Sequence, residues 1–228
     1  MSIRVTWLGH AALALEIDGT HVLVDPYLSG NPLAAADPAT IPADYILLTH
    51  GHGDHVGDTV SIAKRTGARV IANNEVAHWI ARQGVRNTHG MNPDGAVNFG
   101  FARIALTMAV HSSSLPDGSY GGQANGILLT ARDGHRLYLA GDTGLFADMQ
   151  RIGAKGIDLA VLPIGGNYTM GPDEALEAVK LIAPRAVLPI HYNTFPLIQV
   201  DAAGWAQRVH NETASRVIIV DPGGSFTL

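Results

Sequence analysis

The chain has 228 residues, 46% of them hydrophobic and 15% charged, which is enough apolar material for one sizeable core and suits a single domain over 1–228 better than two. Its 15 Lys and Arg against 20 Asp and Glu give a formal net charge of −5, which argues against a broad basic footprint for nucleic acid; no apolar run approaches the roughly 18 residues of a membrane span. Cysteine is absent, so disulfides and thiolate metal sites are excluded and any metal must be held by histidine and carboxylate.

The opening residues Met1-Ser2-Ile3-Arg4-Val5 enter an alternating strand pattern without the basic-then-apolar layout of a signal peptide, an expectation of the cytoplasm. Strands are predicted over 3–8, 12–17 and 21–24, with Asp18-Gly19 turning a hairpin between the second and third. After Asp25-Pro26 a Pro/Ala-rich loop runs to Pro42, followed by an apolar strand over 45–48. Helical spacing over 58–65 and 75–83 brackets a strand over 69–72. Strands follow over 101–110, 126–130 and 136–140, with a small-residue loop over 112–123. The last third alternates, with helices over 145–152, 172–182 and 202–211 and strands over 159–162, 186–190 and 217–220. Pro172 stands where the first residue of a helix tolerates proline, and Asp173 and Glu174 suit that helix's positive end. Hairpins followed by alternating strands and helices indicate an α/β protein with mixed sheets.

The densest chemical signal is Thr49-His50-Gly51-His52-Gly53-Asp54-His55, directly after the apolar strand that ends at Leu48. Four ligand-type side chains fall within six residues, spaced by glycines that limit the turn little. Read as an extended loop, alternate residues project to one side, so His50, His52 and Asp54 converge and His55 points towards a second site. Three more ligand types stand just beyond apolar β runs: His111, Asp142 and His191. Adjacent strands would bring them to one rim. The count suits two divalent ions, with His50, His52 and His111 on one, Asp54, His55 and His191 on the other, and Asp142 bridging. Two-metal hydrolases hold their ions roughly 3.5–4 Å apart and activate a shared hydroxide.

His50-x-His52-x-Asp54-His55, followed in order by His111, Asp142 and His191, resembles the signature of the metallo-β-lactamase superfamily across nearly the whole chain. Trp7-Leu8-Gly9-His10-Ala11, Gly141-Asp142-Thr143-Gly144 and Pro189-Ile190-His191-Tyr192-Asn193-Thr194 are similar to a family of metal-dependent hydrolases related to L-ascorbate-6-phosphate lactonase and the N-acylphosphatidylethanolamine phospholipase D group. The resemblance implies an αβ/βα sandwich, two mixed sheets with helices on the outer faces and metals at one edge. It also implies that Asp25 orients a ligand histidine or the metal loop by hydrogen bonds.

The activity expected is metal-dependent hydrolysis of a small-molecule ester or lactone by a metal-bridging hydroxide, with Asp54 or His10 passing a proton to the leaving group. A phosphodiesterase on the same site and an iron-dependent redox enzyme are the alternatives. Zn2+ is the first choice of metal; Mn2+ and Fe fit the same ligands. A binding module that keeps the fold without catalysis is disfavoured because the ligand set is complete. His10 either faces substrate or is a buried, hydrogen-bonded histidine. Tyr168, Asn193 and Asn125 lie on loops expected near the rim and could donate to a substrate oxyanion. Neither nucleic acid nor membrane insertion is expected of the partners; whether the chain forms a homo-oligomer is open.

Overall fold

The computed structural model describes residues 2–228, arranged as two seven-stranded sheets. In the first, β1 (Ile3–Gly9), β2 (Ala12–Ile17) and β3 (Thr20–Val24) run antiparallel. β4 (Tyr45–Leu47), β5 (Arg69–Asn73) and β6 (Thr88–Met91) continue in parallel. In the second sheet β7 (Ala96–Asn98), β8 (Ala102–Met108), β9 (Asn125–Ala131) and β10 (Arg136–Leu139) are antiparallel. β11 (Leu159–Pro163), β12 (Ala186–Ile190) and β13 (Arg216–Val217) are parallel to β10. The final strand, β14 (Ser225–Thr227), returns to the first sheet and pairs with β1.

Side-chain alternation sets which face meets which. On β2, Leu13, Leu15 and Ile17 join the core shared with the second sheet, whereas Ala12 and Ala14 belong to the opposite face. The hairpin between β2 and β3 turns on Asp18 at φ 50° and Gly19 at φ 77°, the pair of positive values that a type I′ turn requires. β11 and β12 are buried at every residue, the continuous apolar pattern of central parallel strands covered on both faces. Helices α2 (Thr59–Thr66) and α3 (Asn74–Arg82) bury Ile62, Val76 and Ile80 against the first sheet. Helices α5 (Pro172–Ile182) and α6 (Ala202–Glu212) bury Leu176, Val179, Trp205 and Val209 in the core cluster of the second. The Gly171 N–H at the start of α5 donates to Glu174 at 3.1 Å, satisfying one of the orphan amides there.

Three expectations are corrected. Residues 53–56 form a helical turn, α1 (Gly53–Val56), instead of continuing an extended loop. The predicted helix over 145–152 shortens to α4 (Met149–Gly153), because Gly144 N is drawn off to Val110 O at 3.0 Å and the chain there stays a loop. The strand expected over 217–220 reduces to β13; Ile218 N still donates to Val187 O, but the chain then leaves for the first sheet. The short strands β6, β7 and β14 were not predicted.

Candidate metal centre

The strands deliver their C-terminal ends to a single rim, the position where ligands collect in sheets with parallel strands. His10 follows β1, Asp25 follows β3, His50 lies three residues beyond β4, and His111, Asp142 and His191 follow β8, β10 and β12. Backbone bonds stitch the sheets together there, Asn125 N to Thr49 O and His191 N to His10 O, both at 3.0 Å.

Three groups of ligand atoms lie close enough to share an ion: His50, His52 and His111; His50, His55 and Asp142; and His10, Asp54, His55 and His191, each within 4.8 Å of its fellows. The sequence therefore groups His50 with His52 as expected, but Asp54 turns away from them. The cause is α1, whose helical turn carries Asp54 and His55 together towards His10 and His191.

Asp25 is the organiser on the first sheet. Its Oδ1 accepts from Thr49 N at 2.9 Å and its Oδ2 from Thr49 Oγ1 at 2.6 Å. His55 Nδ1, 2.8 Å from Oδ2, must donate to this carboxylate. Thr49 Oγ1, having given its proton to Asp25, accepts from His50 Nδ1 at 3.0 Å. Both histidines thus turn Nε2 to the interior, and His50 Nε2 points at His52 Nδ1 only 3.0 Å away.

Asp142 is buried with three imidazoles around it. His191 Nε2 lies 3.1 Å, His55 Nε2 3.4 Å and His111 Nε2 3.5 Å from its oxygens. None of the closest approaches is aligned as a hydrogen bond: His55 Nε2, His191 Nε2 and Asp142 Oδ1 are all buried without a partner. Leaving such atoms unsatisfied costs about 1–3 kcal/mol each, and a cation between them removes that cost. The donor set of imidazole and carboxylate fits Zn, Mn or Fe, so the residues present suit a metal.

Electrostatics agree with this reading. Burial opposes protonation of His55, but Asp142 and Asp25 on either side outweigh it and hold its pKa well above the ordinary value. Burial would raise the Asp142 carboxyl, yet His55 and His191 keep it well below the usual carboxylate range. Burial lowers His50, with the neighbouring His55 adding to the effect. Clustered, strongly perturbed groups at a rim are the pattern of a functional site.

His10 is fully buried and hydrogen-bonded instead of facing outward. Its Nε2 is 3.2 Å from Asp54 Oδ2 and its Nδ1 is 2.9 Å from Thr194 Oγ1. Facing a carboxylate, Nε2 must donate, so Nδ1 accepts from the threonine. Burial, helped by His191 and His55, lowers His10 to about 4 against the pull of Asp54, so the ring is neutral at pH 7. Tyr168 is half exposed on the loop after β11. Asn125 is corrected. The Asn125 amide is buried and its N–H groups go to Thr107 O and Ala124 O. The Asn193 side chain closes its own loop, donating to Val200 O and accepting from Val200 N. The Asn125 amide is therefore not free to donate to a substrate oxygen, whereas the exposed Asn193 amide keeps one N–H uncommitted. Sequence reasoning assigned no part to Thr49, Thr143 or Thr194. Thr143 Oγ1 accepts from Val110 N at 3.0 Å, tying the Asp142 loop to the strand end that carries His111. The residues were quoted within motifs, but nothing in a linear motif says what a hydroxyl touches.

Residues 20–192 match the family described as beta-lactamase superfamily domain. A "UPF0173 metal-dependent hydrolase" of Desulforamulus reducens is 45% identical, covering 97% of this chain and 98% of its own. The chain belongs to the UPF0173 metal-dependent hydrolase family. A second relative of that description, from Methanopyrus kandleri, is also 45% identical, over 98% of this chain and 99% of its own. Among solved structures, Igni18, a metallo hydrolase of Ignicoccus hospitalis, superposes with a TM-score of 0.91 at 36% identity, covering 100% of this chain and 99% of that one. For a UPF0173 hydrolase the two mixed sheets with outer helices are the metallo-β-lactamase fold, as the sequence resemblance implied. Among the described residues no helix is long and apolar enough to cross a membrane.

Proposed function

We propose that this UPF0173 hydrolase cleaves a small-molecule ester or lactone at a centre of two divalent cations, zinc by first choice. The observation that carries the reading is the trio of buried, unpartnered ligand atoms on His55, His191 and Asp142, flanked by the His50, His52 and His111 set on one side and Asp54 on the other. Two ions held there would lower the pKa of a bound water and polarise the substrate oxygen. His50, His52 and His111 would hold one ion, Asp54, His55 and His191 the other, and Asp142 would be shared by both.

The chain's own residues then do three things. Asp25 and Thr49 fix the tautomers of His55 and His50, presenting Nε2 inward. His10 donates to one oxygen of Asp54 and orients that carboxylate. The same His10 to Asp54 pair would take up the proton that the attacking water gives up and pass it to the leaving group. The preference for an ester or lactone rests on the resemblance to the ascorbate-phosphate lactonase.

The test is a metal-quantified screen of the purified protein against lactones, thioesters and bis-(p-nitrophenyl) phosphate, with and without chelator. Two zinc ions per chain and chelator-sensitive lactone cleavage are expected. Turnover of the phosphate diester alone would move the assignment to a phosphodiesterase, and redox-active iron would move it out of hydrolysis. Asp142→Ala should lower metal content and reduce turnover by at least about a thousandfold, because it removes the bridge and leaves three imidazoles without their counter-charge. Full metal content with full rate in that variant overturns the bridging role.

A further inference from the structure

The segments that leave the metal-side ends of the strands share a property that the fold does not require. Residues 26–42, 48–58, 109–124, 140–149, 164–174 and 190–201 contain not one Lys or Arg. Three cations that reach these segments from outside are already paired there: Arg65 with the carbonyls of Pro38 and Ile41, Arg151 with Asp148, and Arg208 with Asp173. A site that holds a phosphate or carboxylate away from its reacting centre does so with Arg, Lys or a helix N-terminus. The rim offers no such side chain, and the α5 N-terminus is already faced by Glu174.

The same segments carry five of the seven large hydrophobic side chains exposed among the described residues. Of the large hydrophobic residues exposed among those described, all but Ile219 are Met108, Val110, Tyr120, Leu145, Tyr168 and Leu197. Met108 and Val110 precede His111, Leu145 lies three residues beyond Asp142, and Leu197 six beyond His191. The loops that bear them touch one another around the centre. Gly144 N donates to Val110 O, Met170 N to Thr143 O and Asn193 N to Ile198 O. Ser114 bridges to Tyr120 in the loop whose Ser113 hydroxyl accepts from Gly51 N. Apolar side chains concentrated around a polar centre, while the rest of the surface lacks them, mark a binding surface.

We infer that the non-reacting part of the substrate is uncharged and largely apolar, an acyl or aryl group that lies against Val110, Leu145, Tyr168 and Leu197 while its ester or lactone group reaches the ligand cluster. The inference rests on the hydrolase reading and narrows it. Positive charge from bound cations serves the reacting group alone, so a substrate with a second anionic group, such as a sugar phosphate lactone, finds no partner for it.

The test compares two hydroxamates of equal length on the zinc-loaded protein by calorimetry: octanohydroxamic acid, and suberic acid monohydroxamate, which ends in a carboxylate. Zinc is counted on the same samples. The neutral chain should bind at least about tenfold tighter, since its last carbons leave water while the carboxylate cannot. Leu145→Ala and Leu197→Ala should each weaken octanohydroxamate about threefold more than they weaken acetohydroxamate. Equal or tighter binding of the charged chain to fully zinc-loaded protein overturns the inference and leaves the metal centre standing. Failure of the neutral hydroxamate to bind that sample overturns it as well. Protein that takes up no zinc brings down the centre, and this inference with it.

Discussion

Three residues at the rim hold backbone angles that side chains rarely adopt: His10 at φ 55°, Asp25 at 43° and His191 at 55°. Each such conformation costs on the order of 1–3 kcal/mol and persists only where surrounding bonds over-determine it. Asp25 is held by two bonds from Thr49 and one from His55, His10 by Thr194, Asp54 and the bond from His191 N to its carbonyl. The strain is therefore offset by the contacts that aim ligand atoms inward. Thr194→Val tests this at its outermost link. Losing the hydroxyl frees His10 to rotate and lets Asp54 swing, so the affinity for the second zinc should fall about 10–100-fold, while the ion on His50, His52 and His111 is unaffected. Thr194→Ser should restore it. Calorimetric zinc titration reads both sites; two ions lost in parallel, or no rescue by serine, would show that His10 does not position Asp54. A pH effect follows from His55. Its raised pKa means that the metal-free chain carries a proton there at neutral pH, and an ion can bind only once the proton leaves. Zinc uptake should release protons and weaken as pH falls. Titration in two buffers of different ionisation enthalpy measures the proton count, and a value of zero near pH 7 would contradict the charged state of His55.

Among the elements, β11 and β12 matter most for the second sheet's share of the site. The loop after β11 passes so near the turn after β12 that a Cβ on Gly165 would collide with the carbonyl oxygen of His191 and lie 2.9 Å from Ile198 Cβ. Gly165→Ala should cost about 1–3 kcal/mol by overpacking, a fall in Tm of roughly 3–10 °C for a chain of this size. It should also loosen zinc binding through His191. An unchanged Tm and zinc affinity would mean that the two loops can part without consequence. The long elements were legible because their patterns repeat: β2 alternates, α5 places proline first and Ala175, Leu176 and Val179 on one face. β6, β7 and β14 have three or four residues each, too few for a period of two to be read. The 145–148 stretch failed for a different reason. Its apolar spacing suits a helix, but Leu145 is exposed and the backbone bond from Gly144 to Val110 holds the segment at the rim, so a tertiary contact overrode propensity.

At the scale of the whole molecule, the ligand set spans both sheets, with His50, His52, Asp54 and His55 from the first and His111, Asp142 and His191 from the second. An ion gripping both edges would act as a cross-link present only in the folded chain. Zinc at a hundred times its dissociation constant would add about 2.7 kcal/mol, so stripping it with chelator should lower Tm by roughly 5–11 °C. A scanning measurement with and without chelator checks this, and coincident transitions would mean that bound metal does not tie the sheets.

A concavity of about 480 Å3 lies at the other end, lined by His135, Arg136, Asp158 and Arg185 at the N-terminal ends of β10, β11 and β12. The ligand side chains are buried except for His52, Asp54 and His111, which are partly exposed between the loops and open the cluster to the surface.

The chain alone determined the fold class and the identity of the ligand-type residues, because both are written locally: alternation within a strand, and imidazoles or carboxylates standing just past apolar runs. It could not determine what holds those residues in place. His10 meets Asp54 across 44 positions and Thr194 across 184, and the helical turn at Gly53–Val56 separates Asp54 from His50 and His52. It also left Asn125 looking like a rim donor when burial spends its amide on backbone carbonyls. Such partnerships depend on which strand ends the two packed sheets bring within hydrogen-bond reach, a distance that sequence separation does not encode.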